Sequence, residues 1–288
     1  MATVDYKALK NGGFMRQKQK GCFSLRLKVV GGNLTAAQLA TIASVAEKFG
    51  AGRVHLTSRQ GVEIPFIKLE DIDAVKSELL DGGVFTGVCG PRVRTVTACQ
   101  GSDICPSGCI ATYPLAVEIS ERYFGRELPH KFKFGVTGCQ NNCLKAEEND
   151  LGIKGGYLIK QEKSLCTLCG VCVKACRRGA IKISDGSLEL TEASCNYCGR
   201  CVKSCPSEAW QGEPGYIVSF GGTFGNQIAK GKELAPITAD KAALFRLADA
   251  AVDFFAGHAN PGERFRAAID RVGWDDFADT VAKAYENG

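Results

Sequence analysis

At 288 residues, 45% hydrophobic and 23% charged, the chain has the composition of an ordinary globular protein and the length for one large domain or two to three small ones. Its start, Met1-Ala-Thr-Val-Asp5-Tyr-Lys, lacks the apolar stretch of a secretory signal, and no apolar run is long enough to span a bilayer. A cytoplasmic protein is therefore expected, in which fifteen cysteines point to metal ligation rather than to disulfides, and the formal charge of +5 accompanies no nucleic-acid motif.

Residues 22–82 predict the order β-α-β-β-α. A strand over Phe23–Val30 turns at Gly31-Gly32. Thr35 then caps a helix to about Phe49, with Leu39, Ile42, Ala43, Ala46 and Phe49 at helical spacing. Gly50 and Gly52 end that helix, strands follow at Val54–Thr57 and Val62–Ile67, and a helix lies near Asp71–Leu80. This order suggests a ferredoxin-like sheet covered on one face by helices. A second unit starts near Val93, with strands at Arg94–Ala98, Phe132–Val136 and Leu151–Ile159 and a helix at Pro114–Phe124. Residues 162–208 are dense in cysteine and largely lack helical periodicity. A strand resumes at Tyr216–Phe220, and Ala239–Phe255 and Phe265–Tyr285 read as helices with a break at Asn260-Pro-Gly. The expected fold is α+β: an N-terminal unit over 1–85, a second domain over 86–161 and 209–288, and an inserted module over 162–208.

The inserted segment carries Cys166-x2-Cys169-x2-Cys172-x3-Cys176, repeated 29 positions later as Cys195-x2-Cys198-x2-Cys201-x3-Cys205-Pro206. This is the bacterial two-cluster ferredoxin spacing, in which the fourth cysteine of each run serves the other cube. One [4Fe-4S] cluster would use Cys166, Cys169, Cys172 and Cys205, and the other Cys195, Cys198, Cys201 and Cys176. Arg177 stands where a proline usually follows, which is expected to alter the local turn and not ligation. Zinc also takes four cysteines, but eight in this tandem favour iron–sulfur.

A different spacing lies upstream. Cys99-x5-Cys105 and Cys139-x3-Cys143 bring four thiolates from two distant turns, enough for one further cube. Nearby stand Thr57-Ser-Arg59-Gln60-Gly61, Arg94 and Lys131-x-Lys133. Arginines offer planar, multidentate hydrogen bonds to oxyanions, and lysines two apart on a strand share a face. Cations close together also make each lysine a readier proton donor. Taken singly, Arg59 is an ordinary surface residue and Lys131 and Lys133 a polar strand face; the neighbouring motifs give them interest. Cys22, Cys89 and Cys109 fall outside every motif and read as free thiols, with Cys109 close enough to Cys105 to be an alternative ligand. His55, His130 and His258 match no ligand spacing.

Together these motifs resemble the sirohaem-dependent sulfite and nitrite reductases over residues 15 to 160, and again at Gly221-Gly-Thr-Phe-Gly225 and Gly262-Glu-Arg-Phe265. With its inserted ferredoxin module the chain is most like the dissimilatory and anaerobic sulfite reductases, notably the sirohaem subunit of the anaerobic type. The resemblance implies a catalytic subunit that reduces sulfite to sulfide by six electrons. It implies sirohaem and three [4Fe-4S] clusters, with Arg59, Arg94, Lys131 and Lys133 binding and protonating the anion. It also implies that Cys143 is the thiolate shared between cube and sirohaem iron, that Thr57 and Gln60 contact the cofactor, and that Gly221, Gly222 and Gly225 cradle its carboxylates. The basic apoprotein would balance this anionic cargo, and Lys7, Lys10, Arg16, Lys18 and Lys20 either pair with cofactor carboxylates or form a solvated N-terminus. No G-x-G-x-x-G fingerprint precedes a helix, so a separate flavoprotein or ferredoxin is the expected donor. Relatives with two copies of the α/β repeat build the pocket between them; a single copy here implies a homodimer or a pairing with a similar subunit. The rival readings are nitrite reduction to ammonium, an electron-transfer subunit without substrate chemistry, and a tetrapyrrole-binding protein that does not reduce sulfite.

Overall fold

The computed structural model describes residues 4–286. Asp5 opens it by accepting from the N–H groups of Lys7 and Ala8, which caps a short helix, α1 (Tyr6–Asn11). The strands β1 (Phe14–Arg16) and β2 (Cys22–Arg26) follow. Helix α1 and strand β1 are additions to the sequence-based reading, and Arg16 stacks over the Tyr6 ring at 4.5 Å. Strand β2 is shorter than expected, ending at Arg26 with Leu27 keeping only an isolated bridge to Thr86, and Gly31 and Gly32 (φ 58° and 72°) make the expected turn. Thr35 and Gln38 form a reciprocal capping box at the start of α2 (Ala36–Phe49), with bonds of 3.1 and 3.0 Å. Then come β3 (His55–Leu56), β4 (Val62–Lys68) and α3 (Ile72–Asp81).

These strands form an antiparallel sheet in the order β1-β2-β4-β3. Alternation in β2 sends Phe23 and Leu25 into a core with Ile42, Val45, Ile64, Val75 and Leu79. Arg26 is thereby left on the opposite face, beside its register partner Glu63, with Nε 2.5 Å from the carboxylate.

Further along the chain lie β5 (Thr97–Ala98), α4 (Thr112–Tyr123) and β6 (Phe134–Thr137). They are followed by β7 (Leu151–Gln161), α5 (Val171–Ala175), β8 (Ile181–Ser184) and β9 (Ser187–Leu190). After α6 (Arg200–Ser204) come β10 (Trp210–Phe220), β11 (Lys232–Glu233), α7 (Lys241–His258), α8 (Phe265–Val272) and α9 (Trp274–Glu286). The chain divides into two compact units. One takes residues up to Ala98, Tyr113–Gly135 and Asp253–Trp274; the other takes Cys99–Thr112, Val136–Val252 and residues from Asp275 onward. In the first, Phe132 packs against Phe134, Phe255 and Phe265 with ring centroids 5.1 to 5.8 Å apart.

The second unit is built on an eleven-residue antiparallel ladder between β7 and β10, with β11 on the outer side of β10. Strand β10 begins at Trp210, earlier than expected, so Gly212-Glu-Pro-Gly215 lies inside the strand. The final helical stretch is split by Gly273 (φ 132°) into α8 and α9. Lys154, buried on β7, bonds to Glu147 and reaches Glu233 at 2.9 Å, while exposed Lys230 stands 3.7 Å from Glu147. Among the described residues, Lys154→Met would leave Glu147 with Lys230 as its one cationic partner. A loss of about 2 kcal/mol is expected, read as a lower midpoint of thermal unfolding.

Candidate functional site

The loop joining β3 to β4 is closed by Thr57, whose N–H donates to the Gly61 carbonyl (2.8 Å) while its hydroxyl accepts from the Gly61 N–H (3.0 Å). Gln60 is left-handed there (φ 57°). Its amide clamps Ala98, donating to the carbonyl and accepting from the N–H, each at 2.9 Å. The residue before Cys99 is thus fixed by this loop. Arg59 donates to the Thr95 carbonyl at 3.3 Å. Arg94 donates to the carbonyls of Val88 (2.7 Å) and Gly90 (2.8 Å), and its buried Nε has no partner among the described residues. Burial pushes the Arg94 pKa down, Cys89 opposes this, and Arg26 and Arg264 reinforce it; an arginine nonetheless stays charged.

Lys131 and Lys133 flank the fully buried Phe132, so the two lysines share the side turned from the aromatic core. They meet Arg26, Arg59, Arg94 and Thr57 around one cavity of about 290 Å³, and no carboxylate is among its lining residues. Five cations around so small a space, of which Arg26 is already paired with Glu63, suit an anion. Arg26 is the member that sequence reasoning missed, since only its alternation on β2 marks it.

His130 precedes Lys131 in the chain and is not among the residues lining the cavity. Its Nδ1 accepts from the Lys131 N–H at 2.7 Å, which places the proton of the neutral ring on Nε2. Burial lowers its pKa from 6.5, and Arg264, Lys131 and Arg94 push it further down. The unfolded chain therefore takes up a proton before the folded one does. Stability from this site is complete above about pH 6.5 and is lost as pH falls through the folded pKa. His130→Asn keeps an acceptor and removes the titration. It is expected to flatten the fall in melting temperature between about pH 6.5 and 5.

In the second unit, the two four-thiol loops meet back to back at glycines. A Cβ on Gly138 would lie 2.9 Å from the Cα of Gly101, and Gly101 itself is left-handed (φ 65°). Cys99 N–H donates to the Val136 carbonyl (3.1 Å), and Gly138 N–H donates to the Cys99 sulfur (3.0 Å). Burial raises the Cys139 pKa, the Asn141 N–H opposes it, and Cys105, Cys99 and Cys143 raise it further. The other three thiols of the C-x5-C and C-x3-C motifs thus lie within electrostatic reach of Cys139; Cys143 is exposed, and Cys99, Cys105 and Cys139 are half-buried. Among the described residues no three donors converge as they would on a single ion. The ligands of a four-iron cube stand at its corners, further apart. Backbone N–H groups aimed at sulfur suit such a cluster.

The repeat in the inserted segment is also a repeat of backbone. Leu168, Gly170 and Gly179 have positive φ, as do Tyr197, Gly199 and Glu208, each 29 positions on. Arg177 makes the same kind of turn as Pro206, so the expected change of turn is not found. One small cavity is lined by Cys166, Cys169, Cys172 and Cys205, and a second by Cys176, Cys195, Cys198 and Cys201. N–H groups of Ala180 and Tyr197 donate to the sulfurs of Cys176 and Cys195, each at 3.3 Å.

Gly221 N–H donates to the Asp150 carbonyl (2.8 Å), and a Cβ on Gly222 would lie 2.0 Å from the Glu147 carbonyl oxygen, so these two pack on the chain after Cys143. Gly225 has nothing within 4 Å of its Cβ position. Cys89 is buried and accepts from Arg26 at 3.4 Å, and Cys22 is half-buried. Cys109 is buried, and burial pushes its thiol up to about 11. His55 lies on exposed β3, and His258 stacks on Phe254.

Comparison with known proteins agrees with this geometry. The family described as the nitrite/sulfite reductase ferredoxin-like half domain matches residues 15–82, and the nitrite and sulphite reductase 4Fe-4S domain matches residues 89–287. A coenzyme F420-dependent sulfite reductase of Methanocaldococcus jannaschii is 31% identical over 97% of this chain and 44% of its own length. An anaerobic sulfite reductase subunit of Salmonella typhimurium is 35% identical over 72% of this chain and 66% of its own. The chain thus spans less than two thirds of the length of these relatives. The fold is that of dissimilatory sulfite reductase I (TM-score 0.73, 19% identity, covering 91% of this chain and 69% of that one). It is also that of the Mycobacterium tuberculosis NirA protein (TM-score 0.71, 17% identity, 99% and 48%). A family description matching well over half of the chain, and a relative 35% identical across 72% of it, place this protein in the nitrite and sulphite reductase family of oxidoreductases.

Proposed function

We propose that the chain is the catalytic part of a sirohaem sulfite reductase, taking sulfite to sulfide with electrons delivered through residues 162–208. The observation that carries this reading is the cavity shared by Arg26, Arg59, Arg94, Lys131 and Lys133 without a carboxylate on its lining. Arg59 and Arg94 are held by backbone carbonyls, so their guanidinium planes are set before an anion arrives, and little ordering has to accompany binding. Arg94 keeps a buried Nε with no acceptor among the described residues. Each S–O bond that breaks leaves an oxygen that needs protons, and Lys131 and Lys133 line the same cavity as donors.

Sirohaem, when bound, supplies an iron for the substrate and a path for its electrons. Exposed Cys143 is the thiolate suited to reach outside its own loop, with Cys99, Cys105 and Cys139 completing the cube's ligands. The tandem repeat, its two four-cysteine cavities and their N–H-to-sulfur bonds support two more [4Fe-4S] clusters in an inserted ferredoxin module. A cytoplasmic location, a ferredoxin or flavoprotein donor, and pairing with a second copy or a similar subunit belong to the same proposal. No helix of the described residues is long and apolar enough to cross a membrane. Nitrite fits the same cations and is the second substrate to assay.

The test is anaerobic purification from a sirohaem-producing host, followed by acid–acetone extraction and iron analysis. A sirohaem spectrum with about 13 irons per chain, four for each of three cubes and one for the tetrapyrrole, supports the reading. Clusters without any tetrapyrrole would make the chain an electron carrier and overturn it.

A further inference from the structure

Strand β7 has two adjacent glycines, and each is pressed against a different cysteine loop of the same unit. A Cβ on Gly155 would lie 2.3 Å from the Gly138 carbonyl oxygen and 2.8 Å from Ile110 Cγ1, and Gln140 Nε2 donates to the Gly155 carbonyl at 3.5 Å. Gly138 precedes Cys139. A Cβ on Gly156 would lie 3.1 Å from the Tyr197 carbonyl oxygen, to which the next N–H along, that of Tyr157, donates at 2.8 Å. Tyr197 precedes Cys198, and the Tyr157 ring lies so close to Gly199 that a Cβ there would meet it at 2.3 Å. Successive residues of a strand face opposite ways, so these two loops sit on opposite faces of one strand with no side chain of the strand itself between them, although Ile110 borders Gly155 and the Ile217 and Ile237 methyls border Gly156.

Cys109 marks the same junction. Its N–H donates to the Gly138 carbonyl at 2.6 Å, and its buried thiol lies within electrostatic reach of Cys139, Cys198 and Lys203. The other four-cysteine set has different surroundings. Its cavity is bordered by Leu188 and Trp210, and none of its lining residues is among the nearest neighbours of either glycine, whereas Tyr197, between Cys195 and Cys198, meets Gly156.

We propose that Gly155 and Gly156 form the electron crossing of this unit, and that the Cys176, Cys195, Cys198, Cys201 set is the exit of the module. The Cys166, Cys169, Cys172, Cys205 set then takes electrons first, from a low-potential one-electron donor protein. The inference rests on the proposed reading that both sets hold cubes. One electron moves per step: the exit cube is oxidised by one as the Cys99, Cys105, Cys139, Cys143 cube is reduced by one, with no bond or proton changed. Tunnelling falls steeply with separation, so what these glycines supply is closeness.

The test uses the full loaded protein, reduced with dithionite, and the electron-spin relaxation of the cube held by Cys99, Cys105, Cys139 and Cys143. A paramagnetic neighbour close by speeds that relaxation. Cys198→Ala is expected to abolish the enhancement and Cys169→Ala to retain it. Gly156→Ala, which asks its neighbours to give by a few tenths of an ångström, and the bulkier Gly156→Val keep every cysteine. They are expected to weaken the enhancement in that order at unchanged iron content. Loss in Cys169→Ala with retention in Cys198→Ala, or no response to either Gly156 variant, overturns the inference while the three-cluster reading stands. An iron content of only about four to five per wild-type chain overturns that reading and the inference with it.

Discussion

Lys133→Met is expected to lower the turnover number for sulfite by on the order of a hundredfold or more, while sirohaem and iron content stay at wild-type levels. Lys133 lies beside a fully buried phenylalanine and reaches the cavity from a rigid segment, so its removal takes away a donor without loosening the core. Four other cations still line the cavity, and the anion therefore still binds. The loss should fall mainly on kcat and much less on KM, the pattern of an interaction made in the transition state. Arg94→Lys makes the contrast. It keeps the charge but gives up the fork that spans the Val88 and Gly90 carbonyls, so KM should rise and the 88–90 loop should loosen. Steady-state kinetics of the two variants, each with its absorption spectrum, separates these outcomes. Equal effects on KM and kcat in both would remove the distinction between anion binding and proton delivery.

The parts of this protein legible in its sequence are those where chemistry fixes spacing. A cube needs thiolates at set intervals on a tight loop, so the tandem repeat showed itself without any knowledge of the fold, and its backbone repeats with the same 29-residue period. The Thr35 helix was legible because a capping box and an apolar stripe are both local. Arg26 was not, because its role depends on β2 alternation combined with a loop more than thirty residues away. The start of β10 was hidden for the opposite reason. Gly212, Pro214 and Gly215 are strand breakers by propensity, yet an unbroken ladder with β7 overrides them, Pro214 lying opposite Tyr157, whose own N–H is given to Tyr197. Gln60 looked like a cofactor contact by its motif. Its amide bonds to Ala98 on both sides, and this ties the Arg59 loop to the strand that enters the first cysteine turn.

Gly155→Ala is expected to cost the adjacent cube. The added methyl would lie 2.3 Å from the oxygen and 2.8 Å from the carbon of the Gly138 carbonyl, which is backbone and has no rotamer to yield. Strand β7 is itself locked in an eleven-residue ladder, so the Cys139 loop has to move. That loop meets the Cys99 loop glycine to glycine, and its N–H binds the Cys99 sulfur, so displacement spreads to all four thiols. Iron should fall by about five atoms per chain, four from the cube and one with the tetrapyrrole, while the eight irons or so proposed for residues 162–208 stay. Gly222→Ala should do the same from the other side, since its Cβ would lie 2.0 Å from the Glu147 carbonyl oxygen and 2.5 Å from that of Asn149. Gly257 near the end of α7 has nothing within 4 Å of its Cβ position, so Gly257→Ala should keep full iron and gain about 0.5–1 kcal/mol through helix propensity. If Gly155→Ala kept its iron and its tetrapyrrole, the close packing of β7 against Gly138 could not be what holds the four-thiol loops together.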